Sequence, residues 1–349
     1  MTSFDKTFEQ RKQDHIQHAL NPDHQALEMN DFDLLKLMHE ALPDGDFCQI
    51  DLTTQRLGQV CANPFFVSSM TAGHKHAFAI NHNLMQACQE RGWWMGVGSQ
   101  RRELHQDSDL DVDEWKDLRK LFPDVKLMSN LGVAQIIHTP LSSIKKIIDS
   151  LQACALIIHC NPLQEVIQPE GTPAFKGAYQ AIERLVTTLS LPVVVKETGC
   201  GFSAKTLRRL NDCGVHAIDV SGGGGTHWGR IEGARCSPDS RLQKMAQIFK
   251  QWGISTVSSL MAARSSQLKS ELWASGGIRH GLDAAKALAL GASSVGFAKL
   301  LLEPALKSAE AVGEVMLDIE LALKIAMFCS GAFRVHELKN TDLEWIVKP

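Results

Sequence analysis

Four side chains able to do chemistry crowd into seven positions of the sequence: His159, Asn161, Gln164 and Glu165. They follow the apolar run Ala155 to Ile158, so a buried strand spills directly into polar groups, the form of an active-site lip. Taken alone, His159 reads as a hydrogen-bonded core histidine and Glu165 as the start of a helix. Their joint spacing raises both to candidate site residues.

The same form recurs along the chain: a short apolar strand, then small residues, hydrogen-bond donors or charge. It appears at Ser69-Met70-Thr71-Ala72-Gly73, Gly98-Ser99-Gln100-Arg101, Ser129-Asn130-Leu131-Gly132, Lys196-Glu197, Ser221 to Thr226, Ser275-Gly276-Gly277-Ile278-Arg279 and Ala298-Lys299. Such a ring of strand ends suits a flat cofactor lying over a barrel mouth, with its phosphate at one side. Gly276-Gly277 and Ala298-Lys299 end the seventh and eighth strands, where barrels of this kind bind phosphate. Glycines there either let backbone N–H groups approach an anion closely or serve only as tight strand-to-helix turns, and their order after both strands favours the first. Gly222 to Gly225 reads as a tight backbone wrap that leaves Thr226 free to donate. Lys196 suits either a cation beside a flavin or carbonyl, or a salt bridge with Glu197. Asp219 reads as a buried acceptor within its strand. Arg11-Lys12 and Arg101 suit either a surface patch or a clamp on an anionic substrate.

Eight β-rich runs position these groups: Phe65–Ser69, Trp93–Val97, Lys126–Asn130, Ala155–His159, Pro192–Lys196, His216–Val220, Leu272–Ser275 and Ser294–Ala298. Helical patterns lie between them, as at Ala79–Arg91, Leu141–Gln152, Ala174–Leu189, Ala204–Cys213 and Leu282–Leu290. Strands apolar on both faces, alternating with helices, predict an α/β fold with a parallel sheet. Eight such units predict a closed (β/α)8 TIM barrel. The expected organisation is an N-terminal extension over 1–60, a barrel over 61–304 and a C-terminal helical segment over 305–349. A short helix is expected at Asp31 to Glu40. The long interval after the sixth strand is expected to fold largely as a loop over the mouth, with a helix near Gln243–Trp252. A helix over Glu310 to Phe328 and a polar tail complete the reading.

A formal charge of −3 argues against a general nucleic-acid binder, which needs a basic face. The nine cysteines form no CxxC pair, which speaks against a disulfide framework or structural zinc and for reduced thiols in a cytoplasmic protein. Met1 to His15 lacks the apolar core of a signal peptide. No stretch reaches the about 18 uncharged apolar residues of a membrane span. The richest candidate, Ala284 to Leu302, carries Lys286 and Lys299 and is broken by Gly291 and Gly296.

From Arg11 to about Pro304 the chain resembles the type II isopentenyl-diphosphate delta-isomerases, flavoproteins of isoprenoid biosynthesis. The resemblance is carried by Arg11-Lys12-x-Asp14-His15, Ser69-Met70-Thr71, Gly98 to Arg101, Ser129 to Gly132, His159-x-Asn161-x-x-Gln164-Glu165, Val195-Lys196-Glu197, Asp219 to Gly222, Gly224-Gly225-Thr226 and Ala274 to Arg279. It implies FMN held by Ser69, Met70, Thr71, Ser99, Asn130, Lys196, Ser221 and Thr226. The flavin phosphate would meet Gly277, Ile278, Arg279, Ala298 and Lys299. It implies a small-molecule diphosphate substrate at Arg11, Lys12, Ser99, Gln100, Arg101, His159, Asn161 and Gln164. Gln164 and His159 would be the catalytic pair and Glu165 the Mg²⁺ ligand. NADPH would keep the FMN reduced, and a homo-oligomer, tetramer or octamer, is the implied assembly. The chain departs from the family pattern at Ala72, His227 and Lys299-Leu300.

The implied reaction interconverts isopentenyl and dimethylallyl diphosphate without net redox. It adds a proton to one alkene carbon and removes one two bonds away, through a tertiary cation, so positioning and exclusion of water dominate. Mg²⁺ is a hard ion that suits phosphate and carboxylate oxygens, hence Glu165. The strand-end residues near Gln164 offer no evident pair of carboxylates for acid–base work, which points to the reduced flavin as proton shuttle. An FMN-dependent 2-hydroxy-acid oxidase or dehydrogenase on the same barrel would need a His–Asp base pair, for which His227 is the candidate. A nucleotide dehydrogenase would need a catalytic thiol, for which Cys236 is the candidate. A non-catalytic flavin- or phosphate-binding barrel is the remaining alternative.

Overall fold

The structure is a computed structural model and describes residues 3–70, 77–104 and 109–346. Eight parallel strands close into a barrel: β1 (Phe65–Val67), β2 (Trp94–Gly96), β3 (Leu127–Gly132), β4 (Ala155–His159), β5 (Val193–Lys196), β6 (Ala217–Asp219), β7 (Glu271–Ala274) and β8 (Ser294–Phe297). Each pairs with the next, and β8 pairs with β1. All eight lie within the predicted runs or within two residues of them.

Period-two alternation within these strands decides what reaches the mouth. Phe66, Trp94, Met128, Ile157, Val194, Ala217 and Trp273 point inward and fill the barrel. Their outward neighbours, such as Phe65, Leu156, Ile158, Val193 and Val195, join the larger core against the helices. Two residues further along each strand, the next inward positions are Ser68, Asn130, His159, Lys196, Asp219 and Ser275. Apolar residues thus fill the barrel, and the polar residue types in the sequence begin where the packing ends.

The barrel floor is closed by a hairpin, Thr54–Arg56 against Gln59–Cys61. Arg56 is fully buried, lies 4.9–5.7 Å from the centres of Phe66, Trp94 and Trp273, and donates to Ser294 Oγ (2.9 Å) and Phe65 O (3.1 Å). Burial lowers its pKa to about 10, so it stays charged at neutral pH. Arg56→Ala removes these ring contacts and leaves a void, so a stability loss of about 3 kcal/mol is expected. Chemical denaturation of the apoprotein measures it, and a loss below about 1 kcal/mol would contradict the plug.

The stretch expected as a helix at Asp31 to Glu40 folds differently. A 3-10 turn over Asp31–Leu34 is capped by Asn30, and Leu35–Leu37 then runs antiparallel to Leu343–Trp345. Leu35 is buried, Lys36 is exposed and Leu37 is half-buried, which is strand alternation rather than a helical face. The segment read as a polar tail therefore supplies a strand. The interval after β6 holds the expected helix, at Arg241–Ile248, and two more, Trp228–Arg235 and Thr256–Ser265, in place of the expected loop. The C-terminal helix, Ala309–Cys329, packs on Gly281–Ala289 so closely that a Cβ at Gly281 would lie 2.2 Å from Ile319 O. Among the described residues no helix is long and apolar enough to cross a membrane.

Three helices build the mouth: α1 (Ser3–Leu20), α2 (Pro162–Ile167) and α3 (Trp228–Arg235). The first packs on α3 and on Lys299–Ala305, and α2 packs on α3.

Candidate active site

A cavity of about 830 Å³ opens at the C-terminal ends of the strands. His159 ends β4 there, and its Nδ1 lies 2.9 Å from Asn130 Oδ1. The Asn130 amide is oriented by its own donation to Val97 O (3.0 Å), so its oxygen faces the ring and Nδ1 is assigned the proton. Burial, then the charges of Lys196 and Lys12, push the His159 pKa down to about 3. The ring is neutral, with a bare Nε2.

Two residues further, at the N-cap of α2, Asn161 Nδ2 donates to Gln164 Oε1 (2.9 Å) and Glu165 Oε1 (3.2 Å). Gln164 Nε2 donates to Glu232 Oε1 (2.9 Å). Glu165 is buried, lines the cavity and accepts from Thr172 N.

Glu232 is the residue that sequence reasoning missed. It sits on α3, wholly buried, 2.6 Å from Arg235 Nη1 and 2.8 Å from His15 Nε2. Burial works against its charge, but contacts from His15, Gln164 and Arg235 outweigh it and hold the carboxyl below its ordinary value. With its amide turned to suit both neighbours, Gln168 bridges Glu232 Oε1 (3.0 Å) and Arg11 Nη1 (3.1 Å). A second carboxylate besides Glu165 therefore stands beside Gln164, where the strand-end residues offered no evident pair. A clue existed: Gly229 and Gly233 flank it on α3, where added Cβ atoms would meet Leu163 at 2.8 Å and Ala246 at 2.4 Å. Glycines four apart that let helices touch mark a helix pressed into the mouth.

Arg11, Lys12 and Arg101 converge on the cavity from α1 and from the β2 end. Lys12 is pushed down to about 7, by burial first and then by Arg11 and Arg101, with Glu232 opposing. Like charges so gathered at a cavity wall, with one ammonium half-neutral near pH 7, suit a polyanionic ligand.

Ser69, Met70, Ser99, Asn130, Lys196, Ser221 and Thr226 also line the cavity, while Thr71 lies outside the described residues. Lys196 Nζ donates to Glu197 O (2.6 Å), whereas the Glu197 carboxylate turns to the Thr198 and Cys200 amides. The Lys196–Glu197 contact is thus to the backbone. Asp219 accepts from Ser275 Oγ (2.8 and 2.9 Å) and from Ser221 N (3.3 Å), as a buried acceptor should. Gln100 stands behind the lining. Its amide donates to Glu103 (2.7 Å) and accepts from Ser129 and from Asn130 N (3.2 Å), so it supports Asn130.

Across the barrel from β4, the β7 and β8 ends present Gly277, Ile278, Arg279, Ala298 and Lys299 to the same cavity. Gly276 and Gly277 have φ of +89° and +72°, and a Cβ at Gly277 would lie 2.7 Å from Gly224 C. Only glycines allow this interleaving of two loops. The Arg279 guanidinium is committed to Asp33 (2.6 and 2.9 Å) and Asp283 (2.8 and 3.1 Å), leaving backbone groups to meet an anion.

Two observations test whether a flavin phosphate and ring fit here. The glycine loops leave a cradle without side chains, and Ser69 Oγ is buried at the cavity wall with no hydrogen-bond partner among the described residues. Both fit. For a divalent cation, Glu165 is one hard ligand at the wall. Among the described residues no cluster of three or more His, Cys, Asp or Glu is placed to hold a metal alone. One carboxylate with substrate phosphate oxygens is a normal Mg²⁺ arrangement.

The residues required by the alternative readings are engaged elsewhere. His227 is buried, accepts from Arg230 N (3.2 Å) at Nδ1 and lies 3.1 Å from Trp252 O at Nε2, as the cap of α3. Cys236 is buried against Ile167 O (3.7 Å), and burial pushes its thiol up.

Residues 149–345 match the family of FMN-dependent dehydrogenases. A protein of Legionella pneumophila (strain Corby) named isopentenyl-diphosphate delta-isomerase is 55% identical over 333 residues, covering 95% of this chain and 97% of its own. One of the same name from Bdellovibrio bacteriovorus is 47% identical over 344 residues, covering 97% and 99%. Among solved structures, a flavocytochrome b2 mutant with pyruvate bound has a TM-score of 0.69 at 17% identity, covering 96% of this chain and 82% of that one. A mandelate oxidase with 2-hydroxy-phenylacetamide has a TM-score of 0.66 at 18%, covering 97% and 95%. These two show a shared fold.

Proposed function

This chain belongs to the isopentenyl-diphosphate delta-isomerase family, and from that premise we propose that it interconverts isopentenyl and dimethylallyl diphosphate by an allylic proton shift. The observation that carries the reading is a single cavity with cations at one side, Arg11, Lys12 and Arg101, and a glycine cradle across the barrel. One polyanion and one cofactor phosphate fit that division.

The chain's own residues hold, orient and enclose the substrate. Arg11, Lys12, Arg101 and Asn161 anchor the diphosphate, together with His159 once its Nε2 gains a proton. Glu165 would hold Mg²⁺, a hard cation that would help neutralise the diphosphate. Gln164, oriented by Asn161 and Glu232, directs its amide at the hydrocarbon. Ile16, Leu20 and Trp228 line the cavity and exclude water from a cationic transition state. Bound and reduced at the expense of NADPH, FMN would supply the proton-transfer capacity and the electron-rich face that the shift needs. Ser69, Met70, Ser99, Asn130, Lys196, Ser221 and Thr226 would hold its ring and ribityl chain, with Thr71 beside Met70 in sequence. The reading extends to a cytoplasmic homo-oligomer.

The test is an anaerobic assay with reduced FMN, Mg²⁺ and isopentenyl diphosphate. Dimethylallyl diphosphate is the expected product. Its absence, with flavin reduction by 2-hydroxy acids instead, would favour an oxidase. Glu165→Gln is expected to raise the Mg²⁺ needed for half-maximal rate at least about tenfold with FMN still bound. Loss of flavin from that variant would remove the metal assignment.

A further inference from the structure

Asn30 lies in the segment that returns from α1 to the barrel and is 7% exposed. Its Nδ2 donates to two carbonyls, Gly224 O (3.1 Å) and Gly277 O (2.7 Å), and its Oδ1 accepts from Phe32 N (3.1 Å). The two glycines belong to the two interleaved loops. Each carbonyl sits in a planar trans peptide, so the N–H of that peptide points the opposite way. Those N–H groups are on Gly225 and Ile278. Among the described residues neither is hydrogen-bonded, and both residues line the cavity. No side chain can intervene there, because a Cβ at Gly225 would lie 2.7 Å from Gly277 N.

The rest of the segment is tied to the same loops. Ala26 N donates to Gly225 O (2.7 Å), Asp33 pairs with Arg279, and Lys286 Nζ donates to Phe32 O (2.8 Å). The extension thus forms the outer wall of the glycine cradle, and it continues from the helix that carries Arg11 and Lys12.

We infer that Asn30 is a positioning residue for the cofactor phosphate: its amide fixes the Gly224 and Gly277 carbonyls outward, so that the Gly225 and Ile278 N–H groups converge on one anion. The inference rests on the flavin reading above. It has a reciprocal consequence, since a phosphate that draws those N–H groups inward tightens the hold of Asn30 on the carbonyls. Residues 25–33 then become more rigid with a phosphorylated flavin than with one lacking phosphate.

The test compares FMN with riboflavin, which lacks the phosphate, by quenching of flavin fluorescence on titrating the apoprotein. Asn30→Ala is expected to raise the FMN Kd about tenfold and to leave the riboflavin Kd within about twofold. Asn30→Asp keeps the acceptor for Phe32 N but turns a charge toward two carbonyls, and it is expected to lose more than Asn30→Ala. Equal weakening of both flavins would mean general loosening and overturn the inference, as would an unchanged FMN Kd. A wild-type protein that binds both flavins equally would instead remove the phosphate cradle itself. Hydrogen exchange on the wild-type protein needs no variant to fold: residues 25–33 are expected to exchange more slowly with saturating FMN than with saturating riboflavin. Equal exchange would overturn the coupling.

Discussion

Glu232→Gln is expected to lower kcat by about 10²–10³-fold while FMN stays bound. The carboxylate does not border the cavity, so it acts through its neighbours. It accepts from Gln164 Nε2 at 2.9 Å and meets His15 and Arg235 at 2.8 and 2.6 Å. A glutamine keeps the volume but offers one acceptor where the carboxylate has two, and its NH₂ would face donors. The Gln164 amide is then free to turn. Steady-state kinetics with a flavin absorbance spectrum check this. A variant with unchanged kcat would show that Gln164 needs no such hold, and loss of flavin would show a structural role.

Binding of the diphosphate is expected to take up protons, and Lys12→Ala to weaken it by about 10²-fold. Free Lys12 titrates at about 7 because burial, Arg11 and Arg101 disfavour its charge. An incoming anion favours that charge, so the bound pKa rises. Between the free and bound values each molecule bound takes up a proton, and affinity falls as pH rises through that window. His159, held down to about 3, adds uptake if the anion draws a proton onto Nε2. At pH 8 the diphosphate ester is itself fully ionised, since its last proton leaves near pH ~6. Calorimetry with the oxidised-FMN protein, in buffers of different ionisation enthalpy, reads the number directly. No buffer dependence at pH 8 would contradict the burial of Lys12 in the free state.

The barrel was legible because its strands are buried on both faces and leave continuous apolar runs, each ending in polar residues at the mouth. His159, Asn161, Gln164 and Glu165 were legible because they end one strand and open the short helix that follows it. Glu232 was not, because it lies 68 positions from Gln164 on a helix whose sequence, Trp228 to Arg235, has no clear amphipathic period. Only the fold of the long interval after β6 brings the two together. The pairing of Leu35–Leu37 with Leu343–Trp345 was hidden for a similar reason: three-residue strands give too little alternation to outweigh a leucine-rich pattern that also fits a helix. Arg279 shows a third limit. The resemblance placed it at the flavin phosphate, but Asp33, far away in sequence, takes its guanidinium.

The central claim is a proton shift without net redox, and proton NMR of the reaction in D₂O tests it most directly. The protein with FMN is reduced anaerobically, and isopentenyl diphosphate and Mg²⁺ are added. Dimethylallyl methyl signals should grow as the vinylidene signals fall, with deuterium entering the product and the flavin spectrum remaining that of the reduced form. A substrate left unchanged and free of deuterium, or a flavin that becomes oxidised in step with substrate loss, would contradict the account.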